Sequence, residues 1–274
     1  MTEKLMRVQA KLTARDFTLL GWLADHGVLT SFQIAQALFP SVNFAQRRLR
    51  TLLQEDLVDR FRPQRQDGGS YPYHYVLGQL GADVISAQRG DDPPRRDQAR
   101  KRRWYLTNRA NLPHLLGIND FFTQLAGYAR THPDAALERW WPARRCQERG
   151  AFAEPGVTEV HQLVYAPRIR PDGHGIWVEA DRDLPFFLEY DTGTEPLSML
   201  VDKLSGYAEM AGVTGHRWPV LFSLHSPLRE RHLHQQLTAN GVRYPVATAV
   251  RGNPAGAVWW RHRREGPLTR LIDI

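Results

Sequence analysis

The chain has 274 residues, a formal net charge of +7 and one cysteine, Cys146. No stretch approaches the roughly eighteen apolar residues of a membrane span, and the start lacks a signal peptide's apolar centre, so we expect a cytoplasmic protein without membrane contact. A single cysteine excludes an intrachain disulfide framework and a cysteine-rich zinc site. The first 110 residues hold 18 basic and 11 acidic residues, and the remainder holds 18 of each. This asymmetry indicates a polyanionic partner for the N-terminal part, although a solvated basic face would give the same count.

Residues 1–90 have the element order of a winged helix-turn-helix domain. Apolar residues at helical spacing, preceded by Ser or Thr caps, predict three helices, and a fourth follows the strands. The helices are Thr13–His26, Phe32–Phe39, Val42 to about Glu55, and Gly78–Gln88. Segments rich in Val, Phe and Tyr predict two strands, and the Asp-Gly-Gly turn between them predicts a hairpin. The strands are Leu57–Pro63 and Tyr71–Leu77, joined by Gln66–Ser70.

The third predicted helix has one apolar and one polar face. The apolar face consists of Ala45, Leu49, Leu52 and Leu53. The polar face carries Asn43, Gln46, Arg47 and Arg50. These side chains suit base edges and phosphates in a major groove, although most solvated helices have a polar face. The hairpin adds Arg60, Arg62 and Arg65, and together these residues predict double-stranded DNA as the partner.

Residues 91–112 are predicted to form a basic linker, because paired prolines precede a run of mostly like charges. Four of its cations could lie along a phosphate backbone, a contact independent of DNA sequence. They are Arg100, Lys101, Arg102 and Arg103. A plain solubilising linker is the alternative.

Residues 113–274 are predicted to form an α/β domain with a mixed central sheet. The helices are Pro113–Arg130, Pro196–Met210 and Pro227–Leu237. The strands are Leu137–Trp141, Glu159–Tyr165, Leu184–Tyr190, Trp218–Leu224, Tyr244–Val250 and Ala257–Arg261. Helix, three strands, helix, strand is the order of the restriction-endonuclease-like PD-(D/E)xK core. Many other α/β folds share this alternation.

Three carboxylates and an isolated lysine in this part predict a metal-dependent phosphodiesterase site. Asp172 follows a proline in a predicted turn, and Glu189 and Asp191 are two apart on a strand, which places them on the same face. Lys203, the only lysine after position 101, is four residues before Tyr207 on the next helix and shares its face. Carboxylate oxygens suit Mg²⁺ or Mn²⁺, and an ammonium suits the scissile phosphate.

Each part of this pattern has an ordinary alternative. Pro-Asp-Gly is a common turn, the acidic pair could end an edge strand, and the lysine and tyrosine could be a surface pair. Codon bias could leave one stray lysine. No phosphate loop, His-Glu-x-x-His or Gly-x-Ser-x-Gly motif occurs in the sequence. His225, His232 and His234 cluster without a matching carboxylate pattern, and the His-x-His pair, His232 and His234, is predicted to lie on a polar helix face.

Short motifs over nearly the whole chain carry a family resemblance. They are Arg47-Arg48-Leu49, Leu57-Val58-Asp59-Arg60, Pro113-His114, and Leu188 to Glu195 followed by Lys203 and Tyr207. With them the chain resembles the replication-relaxation family of bacterial plasmids and integrative elements, whose second domain is similar to restriction-type endonucleases. In the standard nuclease pattern the lysine stands two after the second acid, where this chain has Asp191, so Lys203 would act as a replacement from the helix.

Two functions follow from the resemblance and the residues. In the first, the protein nicks or cleaves DNA with Mg²⁺: Asp172 and Glu189 are ligands, Asp191 is a further ligand or orients water, and Lys203 stabilises charge on the phosphate. In the second, it is a non-catalytic DNA-binding regulator of replication, relaxation or transfer. A homodimer and contacts with replication or conjugation proteins are compatible with either.

Overall fold

The computed structural model describes residues 2–65, 67–153 and 160–274, and the chain divides into two units, one up to Gly127 and one from Tyr128. It is an α+β protein, with a three-stranded sheet in the first unit and a mixed six-stranded sheet in the second. Of the described helices, none has the length and apolar character to cross a bilayer.

The first unit combines helices with a small antiparallel sheet. Its helices are α1 Thr2–Gln9, α2 Ala14–His26, α3 Ser31–Leu38, α4 Val42–Gln54, α5 Gln79–Arg89, α6 Gln98–Thr107 and most of α7 Leu112–Ala129. Its strands are β1 Val28–Thr30, β2 Val58–Phe61 and β3 His74–Leu77, in the order β1-β3-β2. Thr13, Thr30 and Ser41 cap α2, α3 and α4 through side-chain hydrogen bonds, which confirms these three predicted starts to within one residue.

The predicted hairpin is present, with shorter strands than the sequence indicates. Strand β3 begins at His74 instead of Tyr71, and the turn residue Gln66 lies outside the described residues. Strand β1 was not predicted, because three residues are too few to show an alternating pattern. Pairing with β3 holds β1 in the sheet.

The predicted linker, residues 91–112, differs most from the structure, because α6 forms inside it. Leu106 is buried and packs with Val28, Val76 and Leu112. The Arg102 guanidinium donates to the carbonyl of Ala24 at 2.6 Å, near the C-terminal end of α2. A cation at a helix C-terminus satisfies carbonyls that lack helical partners. The charge pattern of this segment predicted a mobile linker, because a charge pattern does not show contacts with residues distant in the chain.

The second unit is built on the six-stranded sheet. Its strands are β4 Ala135–Pro142, β5 Gly173–Glu179, β6 Arg182–Tyr190, β7 Val220–Leu224, β8 Val246–Val250 and β9 Trp260–Arg261. Its helices are α8 Ala143–Cys146, α9 Val160–Val164, α10 Leu197–Thr214, α11 Pro227–Ala239 and a 3₁₀ turn Leu271–Asp273. Strands lie in chain order, β6, β7 and β8 are parallel, and the other pairings are antiparallel. Tyr207 of α10 packs in the core with Phe187 of β6 and Phe222 of β7.

The middle strand before β6 was assigned to the wrong segment. The predicted strand Glu159–Tyr165 is helix α9 over Val160–Val164, and Glu159 lies outside the described residues. The strand is β5, which starts Gly-His-Gly and therefore has a weak strand signal. It joins β6 through Ala180 and Asp181, both with positive φ, a tight hairpin without the usual glycine.

Arg48 holds α4 against α2. Its Nη2 lies 2.5 Å from Oδ2 of Asp16, whose side chain is 1% exposed, and Asp16 also accepts a bond from the Thr13 N–H. Burial acts to raise the pKa of Asp16, but the bonds from Arg48 and Thr13 outweigh it, so this pKa lies below its usual value. The pair therefore stabilises the position of α4.

Arg48→Met is expected to lower the free energy of unfolding at pH 7 by about 2 kcal/mol, because the buried Asp16 carboxylate loses its charged partner. The partial exposure of Arg48 to solvent keeps this loss below that of a fully buried pair. Because the folded pKa of Asp16 lies below the unfolded value of about 3.9, the contribution is present above that value and is lost as pH falls through the folded pKa. Urea unfolding at pH 7 and near pH 2 measures both effects. Arg47→Met, an exposed neighbour, is the control, and equal losses in the two variants would contradict the prediction.

Candidate functional site

Asp172 and Glu189 meet at one edge of the six-stranded sheet. Asp172 directly precedes β5, and its N–H donates to the carbonyl of Leu188 at 3.0 Å. Its Oδ2 accepts the N–H of Tyr190 at 2.8 Å, so the β5–β6 register places this carboxylate beside Glu189. Strands β6 and β7 are parallel neighbours, and their carboxyl ends form this edge, where open α/β sheets commonly bind ligands.

Lys203 and Tyr207 both donate to the Glu189 carboxylate. Nζ of Lys203 lies 2.8 Å from Oε2, and the Tyr207 hydroxyl lies 2.5 Å from Oε1. Glu189 is 2% exposed and Tyr207 is fully buried, whereas the Lys203 side chain is 28% exposed. The four-residue spacing on α10 thus brings an ammonium and a phenol to one carboxylate, with the ammonium on the accessible side.

Charge is concentrated around Glu189. Burial raises its pKa to about 7, the neighbouring Asp172 adds to this rise, and Lys203 and Tyr207 oppose it. Burial alone would lower the pKa of Lys203, but attraction by Glu189, Glu195 and Asp172 raises it, so the amine is an ammonium. Burial and Glu189 raise the pKa of Tyr207 far above its usual value, which keeps the phenol protonated as a donor.

Asp191 makes a different set of contacts. Strand β6 ends at Tyr190, so the strand alternation that predicted a shared face with Glu189 stops before Asp191. Its carboxylate pairs with Arg229 of α11 through two bonds, one of 2.9 Å from Nη2 to Oδ1. Nδ1 of His225 lies 3.5 Å from Oδ2. Arg229 therefore neutralises this carboxylate, and we leave Asp191 out of the ligand set.

The loop after Asp191 contributes a residue that sequence reasoning did not assign. Glu195 Oε2 lies 3.3 Å from Nζ of Lys203, which gives the ammonium a second carboxylate partner. The loop turns at Gly193, where φ is 85° and a Cβ would lie 2.4 Å from the His225 ring. Arg229 donates to the Glu195 carbonyl at 2.5 Å. Glu195 stood within the family motif, but only its contact with Lys203 indicates a role.

The donor set suits a divalent cation held by two protein carboxylates. Among the described residues, no group of three or more His, Cys, Asp or Glu side chains could hold a metal. The predicted set of three carboxylates, Asp172, Glu189 and Asp191, is therefore not assembled into one metal site. Mg²⁺, however, is commonly held by one or two carboxylates, with water and phosphate oxygens completing its shell. Asp172 and Glu189 fit that pattern, because each is a carboxylate and the β5–β6 register, continued by the bond from the Tyr190 N–H to Asp172, places them next to each other.

In the first unit, the polar face of α4 is exposed as predicted. Its members are Asn43, Gln46, Arg47 and Arg50. Ala45, Leu49 and Leu52 are buried on the opposite side, and Leu53 is half-buried. This face is available to a ligand.

The other predicted DNA-binding cations are partly engaged within the first unit. Arg60 and Arg62 lie over the Tyr73 ring, at 3.9 and 4.9 Å from its centre. Arg65 pairs with Asp67, Lys101 with Asp97 and Arg103 with Asp59. Arg102 is tied to α2, and Arg100 is exposed. Arg102 is therefore the least available of the set.

A family model described as replication-relaxation matches residues 20–222 of the 274. The match spans α4 and runs from the first unit into β7, and it includes Asp172, Glu189, Lys203 and Tyr207. No curated protein and no solved structure matches the chain.

Proposed function

The chain belongs to the replication-relaxation family, and we propose that it binds double-stranded DNA of a plasmid or other mobile element and cleaves a phosphodiester bond with Mg²⁺. Family membership suggests a role in replication or relaxation of such an element. The convergence of Asp172, Glu189 and Lys203 at one sheet edge carries the catalytic part of the proposal. Cytoplasmic location, a homodimer and contacts with replication or conjugation proteins stay predictions.

We propose one fold for each unit, and these folds suit DNA binding by the first unit and catalysis by the second. We take the first unit as a winged helix-turn-helix, with α4 as the recognition helix and β2–β3 as the wing, because the order of helices and the hairpin fit. We take the second unit as a PD-(D/E)xK domain, because β4, β5 and β6 are followed by α10 and β7, the order of that core after its first helix.

In the proposed site, Asp172 and Glu189 hold Mg²⁺ or Mn²⁺, which when bound supplies Lewis acidity and lowers the pKa of a coordinated water. Lys203 contacts the scissile phosphate from the accessible side of Glu189 and stabilises negative charge as it develops. Tyr207 fixes the Glu189 carboxylate from the buried side. Glu195 gives Lys203 a second carboxylate partner, which would still hold the ammonium if Glu189 served as a metal ligand.

Incubation of supercoiled plasmid with the protein tests the proposal. Open circles that form with Mg²⁺ or Mn²⁺ and not with EDTA support hydrolysis. An intact plasmid together with a retained DNA mobility shift would favour a DNA-binding regulator without hydrolysis. One observation favours that alternative: both oxygens of Glu189 already accept hydrogen bonds, so a metal would have to share them.

Arg47→Gln combined with Arg50→Gln is expected to weaken duplex binding and to reduce the slope of log affinity against log salt by about 1.8, because two phosphate contacts are lost. Fluorescence anisotropy with a labelled duplex at several salt concentrations measures the slope. Arg149→Gln with Arg243→Gln removes the same charge from exposed positions of the second unit and serves as control. An unchanged slope in the α4 variant would exclude α4 as the DNA-binding helix.

A further inference from the structure

The second unit has a concave surface formed by residues outside the candidate site. It lies between α11 and β9, has a volume of about 690 Å³, and is called here the α11–β9 groove. Its principal lining residues are Arg231, His234, Trp260, His262, Arg263 and Arg264.

The groove is strongly cationic. Arg231, Arg263 and Arg264 are exposed, and none of the three enters an ion pair with another described residue. Glu265 is the acidic residue among its lining. The chain after residue 110 has equal numbers of basic and acidic residues, so this excess is local and does not appear in the overall count. Unpaired guanidinium groups in a concavity favour an anionic ligand.

An aromatic pair borders these cations. The His234 ring stacks on Trp260, with centroids 3.7 Å apart and planes 12° from parallel. Nε2 of His234 lies 2.9 Å from the Thr248 hydroxyl, which donates to Glu230 at 2.6 Å, so these bonds orient the His234 ring. Burial lowers the pKa of His234 to about 4, with a smaller contribution from His262, so at neutral pH the ring is uncharged. The groove therefore offers a flat aromatic surface beside three guanidinium groups.

We propose that the α11–β9 groove binds a single strand of DNA. Arg231, Arg263 and Arg264 pair with its phosphates, and Trp260, backed by His234, contacts an unstacked base. Guanidinium groups match phosphate oxygens in pairs of hydrogen bonds, and single strands expose bases that stack on aromatic rings. A duplex keeps its bases stacked inside, and an acidic polypeptide lacks bases, so neither would use the aromatic surface. This inference goes beyond the proposed function, because it requires neither a metal nor Lys203.

Binding of a fluorescein-labelled oligo(dT) of about twenty nucleotides tests the groove. The full chain is used in EDTA, which prevents metal-dependent cleavage, and carries Arg47→Gln and Arg50→Gln to remove the α4 cations. Adding Arg231→Gln and Arg264→Gln is expected to raise Kd roughly ten- to thirtyfold near 0.1 M salt and to reduce the salt slope by about 1.4, from two lost contacts to a single strand. Arg149→Gln with Arg243→Gln removes the same charge and is expected to change Kd less than about twofold, since a surface without phosphate contacts adds no counterion release.

Two further ligands distinguish binding of single-stranded DNA from general binding of anions. An abasic oligonucleotide with the same number of phosphates is expected to bind more weakly than oligo(dT), and polyglutamate at matched charge is expected to displace oligo(dT) poorly. Equal Kd values for the groove and control variants would overturn the proposal. So would equal binding of the abasic strand, or efficient displacement by polyglutamate, which would identify a general anion surface. Far-ultraviolet circular dichroism checks that all variants are folded, and failure of plasmid nicking would leave this result unaffected.

Discussion

Lys203→Ala is expected to reduce Mg²⁺-dependent nicking of supercoiled plasmid by about a hundred- to a thousandfold. The ammonium lies 2.8 Å from Glu189 and is the accessible cation of the proposed site. Removing one preorganised donor to a developing negative charge typically costs this much in rate. Asp172→Ala is expected to reduce nicking at least as far, because a proposed metal ligand is lost. Gel quantification of open circles against time measures both rates.

Lys11→Ala is the matched control, since Lys11 is an exposed lysine of the first unit. Its nicking rate should equal that of the wild type. Thermal unfolding of each variant confirms that the protein is folded at the assay temperature, because removing Lys203 leaves a buried carboxylate with fewer partners. Wild-type rates in a folded Lys203→Ala protein would reduce the lysine to a structural partner of Glu189.

Arg229→Met is expected to lower the free energy of unfolding by about 3–5 kcal/mol. The Asp191 side chain is 2% exposed and that of Arg229 is 15% exposed, so the substitution leaves a buried charge without its main partner. Urea unfolding at neutral pH measures the change. The double variant Asp191→Asn, Arg229→Met should recover part of the loss, because no unpaired charge remains.

Arg231→Met, two residues further along α11, is the control for this prediction. Arg231 is exposed, so its substitution should change stability by less than about 0.5 kcal/mol. A loss in Arg229→Met no larger than in Arg231→Met would show that the Asp191 pair contributes little. It would also reopen Asp191 as a ligand, since its carboxylate would then be loosely held.

The isolated lysine proved the most useful single clue to the candidate site. Lys203 and Tyr207, four residues apart on one helix, were expected to share a face, and both donate to Glu189. The shared face follows from helical geometry alone, whereas the contact of both side chains with Glu189 depends on the packing of α10 against β6. The contacts of Asp191 could not be predicted in this way. They depend on where β6 ends and on Arg229, which lies 38 residues later in the chain.

Helices α2 to α5 of the first unit and the run β6, α10, β7, α11 and β8 of the second were determined by the sequence itself, because caps such as Thr13 and helical periodicity act over a few residues. Only the tertiary structure decided where β5 lies, how α6 uses Arg102, and which partner holds Asp191. It also brought Arg231 of α11 to Arg264 beyond β9. Each of these features depends on contacts between residues that are distant in the chain. Sheet register and burial select these contacts, and neither is specified by composition or by the spacing of residues.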